Sequence, residues 1–407
     1  MTAIIVIEPR SSGTALVASA VRLGVATHVF SANCDEPPLS RKLQAATVPY
    51  TMVDTASPNA VAVAACAIGV DAIVPGCEYA TGVAAESAAL HGLPHLQPEA
   101  AALTRDKYYS RMHLAAAALA VPVFALIAHH RDVMTAALHV GFPAVLKPVR
   151  GGGMHVTYVN SLSQLQLAVD CAMHHGVVDI DHKTGNVLLL EQYLEGPEYC
   201  VEGYVGSQHG PRVVAVTENL LGAEQNFTKL GHFVEASLTA DQGAALVNYV
   251  EHAAAQIGLT VGVFHAKVRI TRDGPVLIKI AACLGGDRIY RLIELSRSIS
   301  LPEIAIRSHL GDPEPAPDAD AKPAVCVSGV RFFTPVGDAA AVERVRAIPG
   351  FQEVEVHSHI GGTVPLRVAM SGRVGHVLFI APDRPTLDLR LAEALRTLGS
   401  RRACKDI

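Results

Sequence analysis

The 407-residue sequence is poor in charge and in signature motifs, and each shortage excludes something. Charged residues make up 17% of the chain against 50% hydrophobic ones, a composition that folds into globules rather than staying disordered. The formal net charge of -5 argues against nucleic acid or an anionic membrane as the main partner. The cysteines, Cys34, Cys66, Cys77, Cys171, Cys200, Cys283, Cys326 and Cys404, form no CxxC pair. That disfavours a zinc ribbon or a disulfide framework and fits a reducing cytoplasm. HExxH is missing too. The neighbouring histidines His129–His130 and His174–His175 point apart and read as surface or loop residues. Apolar runs stop short of a membrane span, and "MTAIIVIEPR" lacks the basic start of a secretory leader, so a cytoplasmic protein is expected.

What is present is a long, well-patterned chain, too large for one ordinary core, so two or three domains are expected. "AIIVIE", Ala3 to Glu8, predicts a buried strand, "PRSSG" a turn, and "TALVASAVRLG" a helix with Gly24 where a C-terminal cap belongs. "VATHVF" is the next strand, so the opening is a βαβ unit and predicts a parallel sheet, to which "VDAIVPG" adds a later strand. The turn after the first strand has one glycine, Gly13, and not GxGxxG, which favours a structural Rossmann-like domain over a dinucleotide site.

From Thr104 the texture changes. "TRDKYYSRMHLAAAALAVPVF" predicts a helix with Thr104 as N-cap, ending before Pro122. "GFPAVLKPV" and "NVLLLEQYL" predict strands, "RGGGMHVTYV" a glycine-rich turn into another, and hairpin-rich segments continue to about Ala282. "GDPEPAPDADAKPA" reads as a linker, and "VCVSGVRFFTP" opens a smaller α+β unit closed by the helix "TLDLRLAEALRTLG". The expected division is 1–100, 101–310, a linker at 311–324, and 325–407.

Some residues carry chemistry. Lys147 ends an apolar strand just before Gly151, Gly152 and Gly153. Lysine with a glycine-rich loop suits phosphate, although GxxxxGK[ST] is absent and a plain hairpin turn would look the same. Glu191, followed by Tyr193 and Leu194, places an acceptor and backbone beside apolar groups, which suits adenine; Glu198 could accept from ribose hydroxyls. A strand running into an acidic surface loop is the plainer reading.

The order of these pieces resembles the ATP-grasp superfamily, and within it the L-amino acid ligase type of carboxylate–amine ligase. The series is "RDK" at Lys107, "GFPAVLKP" at Lys147, the Gly151–Gly153 loop, "LEQYLEGPEY", "GHFVEASL" and "FHAKVRITRDGPVLIKIAACLGGDRI", followed by "IPGFQEVEV" and "RVGHVLF". The resemblance implies an α/β protein with a Rossmann-like N-terminal domain, a central ATP-grasp fold of two α+β lobes and a small C-terminal α+β unit. It implies ligation of a carboxylate, most simply an amino acid, to an amine through an acylphosphate, with ADP and phosphate released. Lys107 and Lys147 would hold the α- and β-phosphates under the glycine loop. Glu191 and the Tyr193–Leu194 backbone would hold adenine, and Glu198 the ribose. His232 would lie by the substrate, with Glu78, His265, Gly285, Gly286 and Asp287 on the substrate side. A homodimer is implied as well.

One departure stands out. Members of this family carry two glutamates that bind magnesium ions bridging the ATP phosphates, and an arginine that steadies the transferring phosphoryl group. Here those positions are Lys267, Lys279 and Cys283. A protonated lysine has no lone pair for a metal, and a thiol cannot reproduce a guanidinium fork. If Arg272-Asp273-Gly274 is a three-residue hairpin loop, Thr271 faces Pro275 and Lys267 lies directly opposite Lys279, with His265 and Ala281 on the same face. Opposed like charges are unfavourable unless an anion covers them or both reach solvent. The lysines therefore either bind the triphosphate themselves, or mark a degenerate pseudo-enzyme that binds nucleotide or another anion without ligation, or record a disabled site. Cys283 reads as a small buried filler, and Asp287 and Arg288 pair with each other or with substrate.

Overall fold

The computed structural model describes residues 2–33, 47–151, 155–175, 178–179, 182–183, 185–206, 210–222, 227–312, 324–333, 339–356 and 373–400. The chain opens as the sequence predicts. Strands β1 (Ala3–Ile7), β2 (Ala26–Ser31), β3 (Tyr50–Met52) and β4 (Ala72–Pro75) form a parallel sheet in the order β3-β2-β1-β4. Alternation along β1 sends Ile4 and Val6 to one core and Ile5 and Ile7 to another, so both faces are covered. The helix Thr14–Arg22 ends at Leu23, and Gly24 follows with φ of 68°, as a C-terminal cap should. The loops after β1 and β4 meet without side chains: a Cβ on Gly13 would lie 1.7 Å from the Gly76 carbonyl oxygen.

A second, antiparallel sheet has the order β5-β10-β6-β7, from β5 (Phe124–Ile127), β6 (Ala144–Pro148), β7 (Thr157–Val159) and β10 (Leu188–Gln192). The short pair β8 (Val178–Asp179) and β9 (His182–Lys183) lies between them in the chain. Helices Val133–Val140 and Leu162–His175 cover one face through Leu146, Leu188 and Leu190. Lys147, Leu189 and Glu191 alternate to the other face, which looks toward the third sheet.

That third sheet runs β15-β14-β11-β12-β13-β16-β18-β17. Its members are β11 (Glu198–Gly206), β12 (Gly210–Leu221), β13 (Lys229–Val234), β14 (Val263–Thr271), β15 (Gly274–Ala281), β16 (Val327–Phe333), β17 (Phe351–Val356) and β18 (Gly375–Ala381). The helix Ala240–Ile257 packs on its back through Val201, Phe264, Ala266 and Leu277. The strands after residue 324 add to this sheet through the β13–β16 pairing. Of the expected linker, residues 313–323 lie outside the described residues.

Three expectations change. The helix from Thr104 is two helices, Pro98–Arg105 and Lys107–Ala116, and the cap is Asp106, whose carboxylate accepts from the Tyr109 amide at 3.1 Å. Thr104 instead donates back to the Ala101 carbonyl. The region up to Ala282 is not hairpins alone, because Leu162–His175 and the 18-residue helix Ala240–Ile257 interrupt it. Finally, Thr271 faces Gly274 rather than Pro275, and a bulge leaves Ile278 without a partner, after which Lys267 faces Lys279 and His265 faces Ala281. The tighter turn and the bulge cancel, so the pairing of the two lysines is as expected.

Gly13→Ala drives a methyl group into the backbone of the β4 loop. We expect a loss of about 2 kcal/mol or more, read by urea unfolding followed by far-ultraviolet circular dichroism.

Candidate active site

The site lies where the free face of the second sheet, the helix Lys107–Ala116 and one end of the third sheet converge. Three carboxylates organise it, Glu191 and Glu198 buried and Glu78 partly exposed, and each holds at least two cations.

The first is Glu191 on β10. Lys147 on β6 makes a short ion pair with it, and Arg111 Nε lies 3.0 Å from its other oxygen. Arg111 is fully buried, and its guanidinium also donates to the carbonyl of Ile278, the residue left unpaired by the bulge. Burial works to raise the Glu191 pKa, but Arg111 and Lys147 outweigh it and hold the carboxyl below its ordinary value.

The second is Glu198 at the start of β11. Lys267 Nζ lies 3.6 Å from it, Arg269 Nε 3.8 Å, and the Asn219 amide donates at 2.9 Å. Arg269 also donates to the Leu194 carbonyl and sits over the Tyr193 ring, 5.1 Å from its centroid. The Tyr193 amide donates to the Pro143 carbonyl. Burial pushes the Lys267 ammonium down to about 8, against the pull of Glu198.

The third is Glu78, in a single 3-10 turn that follows β4. It accepts from Lys279 Nζ at 3.0 Å and lies 3.1 Å from Arg105. Lys107 faces the same carboxylate, and burial pushes its ammonium down to about 7. The Lys107 ammonium also donates to the carbonyls of Pro148, Val149 and Gly151, at 3.4, 3.3 and 2.9 Å, which ties the helix start to the loop after β6. Gly152 and Gly153 lie outside the described residues.

Beyond Glu198, Asn219 links that carboxylate to His232, whose Nδ1 lies 2.7 Å from the amide oxygen and whose Nε2 lies 3.2 Å from Asp287. Asp287 does not pair with Arg288, as the sequence suggests it could. The two adopt consecutive left-handed conformations (φ of 57° and 67°), which send them apart. Asp287 goes to Arg373 at 3.1 Å and Lys229 at 3.6 Å, and Arg288 to Glu353 and Glu355. His265 pairs with Glu202, and Gly285 packs so closely that a Cβ there would lie 2.8 Å from both side chains. Gly286 has open space around it.

A model of the ATP-grasp domain matches residues 140–290. The ATP-grasp match thus runs from just before the strand that bears Lys147 to just past Asp287. Dapdiamide A synthase of Enterobacter agglomerans is 27% identical over 234 residues, which is 55% of this chain and 53% of that protein. The protein y4rH of Sinorhizobium fredii is 25% identical over 308 residues, 75% of this chain and 63% of its own length. This chain thus spans less than two thirds of either relative. The L-amino acid ligase of Bacillus licheniformis shares the fold across the whole chain, with a TM-score of 0.81, 18% identity and 98% of both chains covered.

Against this ATP-grasp frame, the predicted lysines and acids do gather in one place. Magnesium, which the resemblance implies, does not fit the residues present. Lys267 and Lys279 supply ammonium groups, and burial drives the Cys283 thiol well above the usual thiol range. Cys200, Glu202 and His265 bring ligand-type atoms within 4.8 Å of one another, but this mixed sulfur, nitrogen and oxygen set is not the all-oxygen shell that magnesium takes. The Cys200 thiol donates to Asn219 at 3.2 Å, and burial pushes its pKa up to about 11.

Sequence reading missed Arg111, Arg105, Arg269, Asn219 and Glu202. Arg111 had a signal: it lies four residues after Lys107, on the same helix face. Removing it leaves Glu191 with one cation and frees the Ile278 carbonyl. Arg111→Met is expected to cost about 3 to 5 kcal/mol, measurable by guanidinium unfolding.

His232 supplies a pH signature. Burial pushes its imidazole from the ordinary 6.5 down to about 4. The unfolded chain binds that proton more readily, so this stability is complete above 6.5 and is lost as pH falls toward 4. We expect the wild type to lose stability across that window more steeply than His232→Asn, in unfolding midpoints taken through the range.

Proposed function

We propose that this protein is an ATP-dependent ligase that joins a carboxylate, most simply that of an amino acid, to an amine. The observation that carries the reading is the convergence of Lys107, Lys147, Glu191 and Glu198 between two sheets of an ATP-grasp fold. The L-amino acid ligase, as its name says, ligates amino acids, and dapdiamide A synthase, as its name says, makes dapdiamide A. A substrate carboxylate oxygen attacks the γ-phosphorus of ATP and ADP leaves, giving an acylphosphate. The amine then attacks the acyl carbon, phosphate leaves, and a proton is lost from nitrogen. Preorganised cations suit the charge that builds on the transferring group. The partners are small molecules, with nucleotide held on the Glu191 and Glu198 side and the acid near His232 and Gly285.

The test is release of ADP and phosphate from ATP with a panel of amino acids, alone and in pairs. Turnover that requires both an acid and an amine is the expected result. A second reading, nucleotide or anion binding without ligation, is favoured by Lys267, Lys279 and Cys283, which stand where the resembling enzymes act on the phosphoryl group. It predicts ATP binding with no turnover on any pair. The triple change Lys267→Glu, Lys279→Glu and Cys283→Arg separates the cases: a gain of magnesium-dependent turnover means the present residues disabled a conventional site, and a loss means they work in their own right.

A further inference from the structure

The disagreement between the side chains and magnesium has a charge balance of its own. Two glutamates loaded with two divalent cations carry a formal charge of two positive. Two lysines carry the same charge with no ion at all. The substitution that removes the metal ligands therefore keeps the charge that a loaded site would show to a polyphosphate.

The wider site points the same way. Glu78 holds Lys279 and Arg105, Glu191 holds Lys147 and Arg111, and Glu198 holds Lys267 and Arg269. With Lys107, about half charged near neutrality, beside Glu78, six further cations surround three carboxylates, a surplus of between three and four positive charges. A free nucleoside triphosphate carries about four negative charges near neutrality, and its metal complex about two, since each terminal phosphate ionises near pH 6 to 7. Lys267 and Lys279 are directly opposed on β14 and β15, and their side chains are each only 12% exposed, so their mutual repulsion is poorly screened by water. At 3.6 Å the Lys267–Glu198 contact is longer than a charge-assisted hydrogen bond, so the Lys267 ammonium keeps donor capacity for an anion oxygen.

We propose that this site binds the polyphosphate of ATP as the free anion, without a divalent metal, with Lys267 and Lys279 in the place of the two ions. This rests on the nucleotide-binding reading above and adds the form in which the nucleotide enters. Titratable and charged groups facing the lysine pair are Glu198 and Cys200 from β11, Lys229 from β13, Glu78 from the turn after β4, Lys107 from the helix Lys107–Ala116 and Cys283 just after β15. An incoming polyphosphate pulls the depressed Lys267 back to its charged form, so binding above pH 8 takes up a proton.

The experiment is isothermal titration of the full chain with ATP, first in EDTA and then in excess magnesium, with inorganic tripolyphosphate as a second probe. Affinity in EDTA equal to or greater than that in magnesium is the expected result. Tripolyphosphate binding in EDTA supports the charge match, and any excess affinity of ATP belongs to the adenine side. Lys267→Met with Lys279→Met should weaken metal-free binding by about a hundredfold, the loss of two charge-assisted contacts. Affinity about tenfold or more higher in magnesium than in EDTA overturns the proposal while leaving nucleotide binding intact. Absence of ATP binding in both conditions overturns the nucleotide-binding reading itself. The comparison of conditions is made on the wild type, so it stands even if the double variant fails to fold.

Discussion

Arg111 is the contact on which the site depends. Its guanidinium is wholly out of water, with Glu191 of the second sheet on one side and the Ile278 carbonyl of the third on the other. A buried guanidinium is tolerable only when opposite charge lies against it, and Glu191 supplies that charge, while Nε and Nη1 make no hydrogen bond among the described residues. The helix Lys107–Ala116 therefore cannot shift against either sheet without stranding a charge. Because Lys107 stands one turn before Arg111, fixing the helix also fixes the ammonium that holds the loop after β6. The bulge in the β14–β15 ladder is part of the same device, since the unpaired residue is the one whose carbonyl Arg111 takes.

The carboxylates extend this logic outward. Glu78 belongs to the parallel-sheet unit, yet its partner Lys279 lies 201 residues on, at the edge of the third sheet. Part of the negative charge that the opposed lysines require is thus supplied by the protein itself: Lys279 faces Glu78. The pair joins two sheets across their seam, so groups proposed to meet a ligand also hold the architecture. Self-neutralisation of this kind offsets part of the cost of gathering cations out of water.

Much of this was legible in the sequence where the signal is local. Alternation in Ala3–Ile7 and the glycine after Arg22 report burial and capping directly. The opposed lysines were legible because side-chain period in a strand is two, although the turn was misjudged and an unsigned bulge restored the count. The helix Ala240–Ile257 was overlooked despite a capping box at Thr239 and Gln242 and a left-handed Gly258. The partners of the lysines were not legible, because no periodicity carries information about a residue hundreds of positions away. Nor was the continuity of the third sheet, since strand order is decided by packing and not by spacing.

That continuity has a consequence for how the chain can be divided. β16 lies against β13, the strand that bears His232, and Arg373 reaches back to Asp287 and to the Lys229 carbonyl. A chain shortened before β16 would not be the same fold with a module missing. It would present the bare hydrogen-bonding edge of β13 to solvent, beside an aspartate stripped of its arginine, and such an edge pairs readily with any other strand it meets. β16 and Arg373 are better regarded as part of the wall around His232 and Asp287 than as an appendage to it.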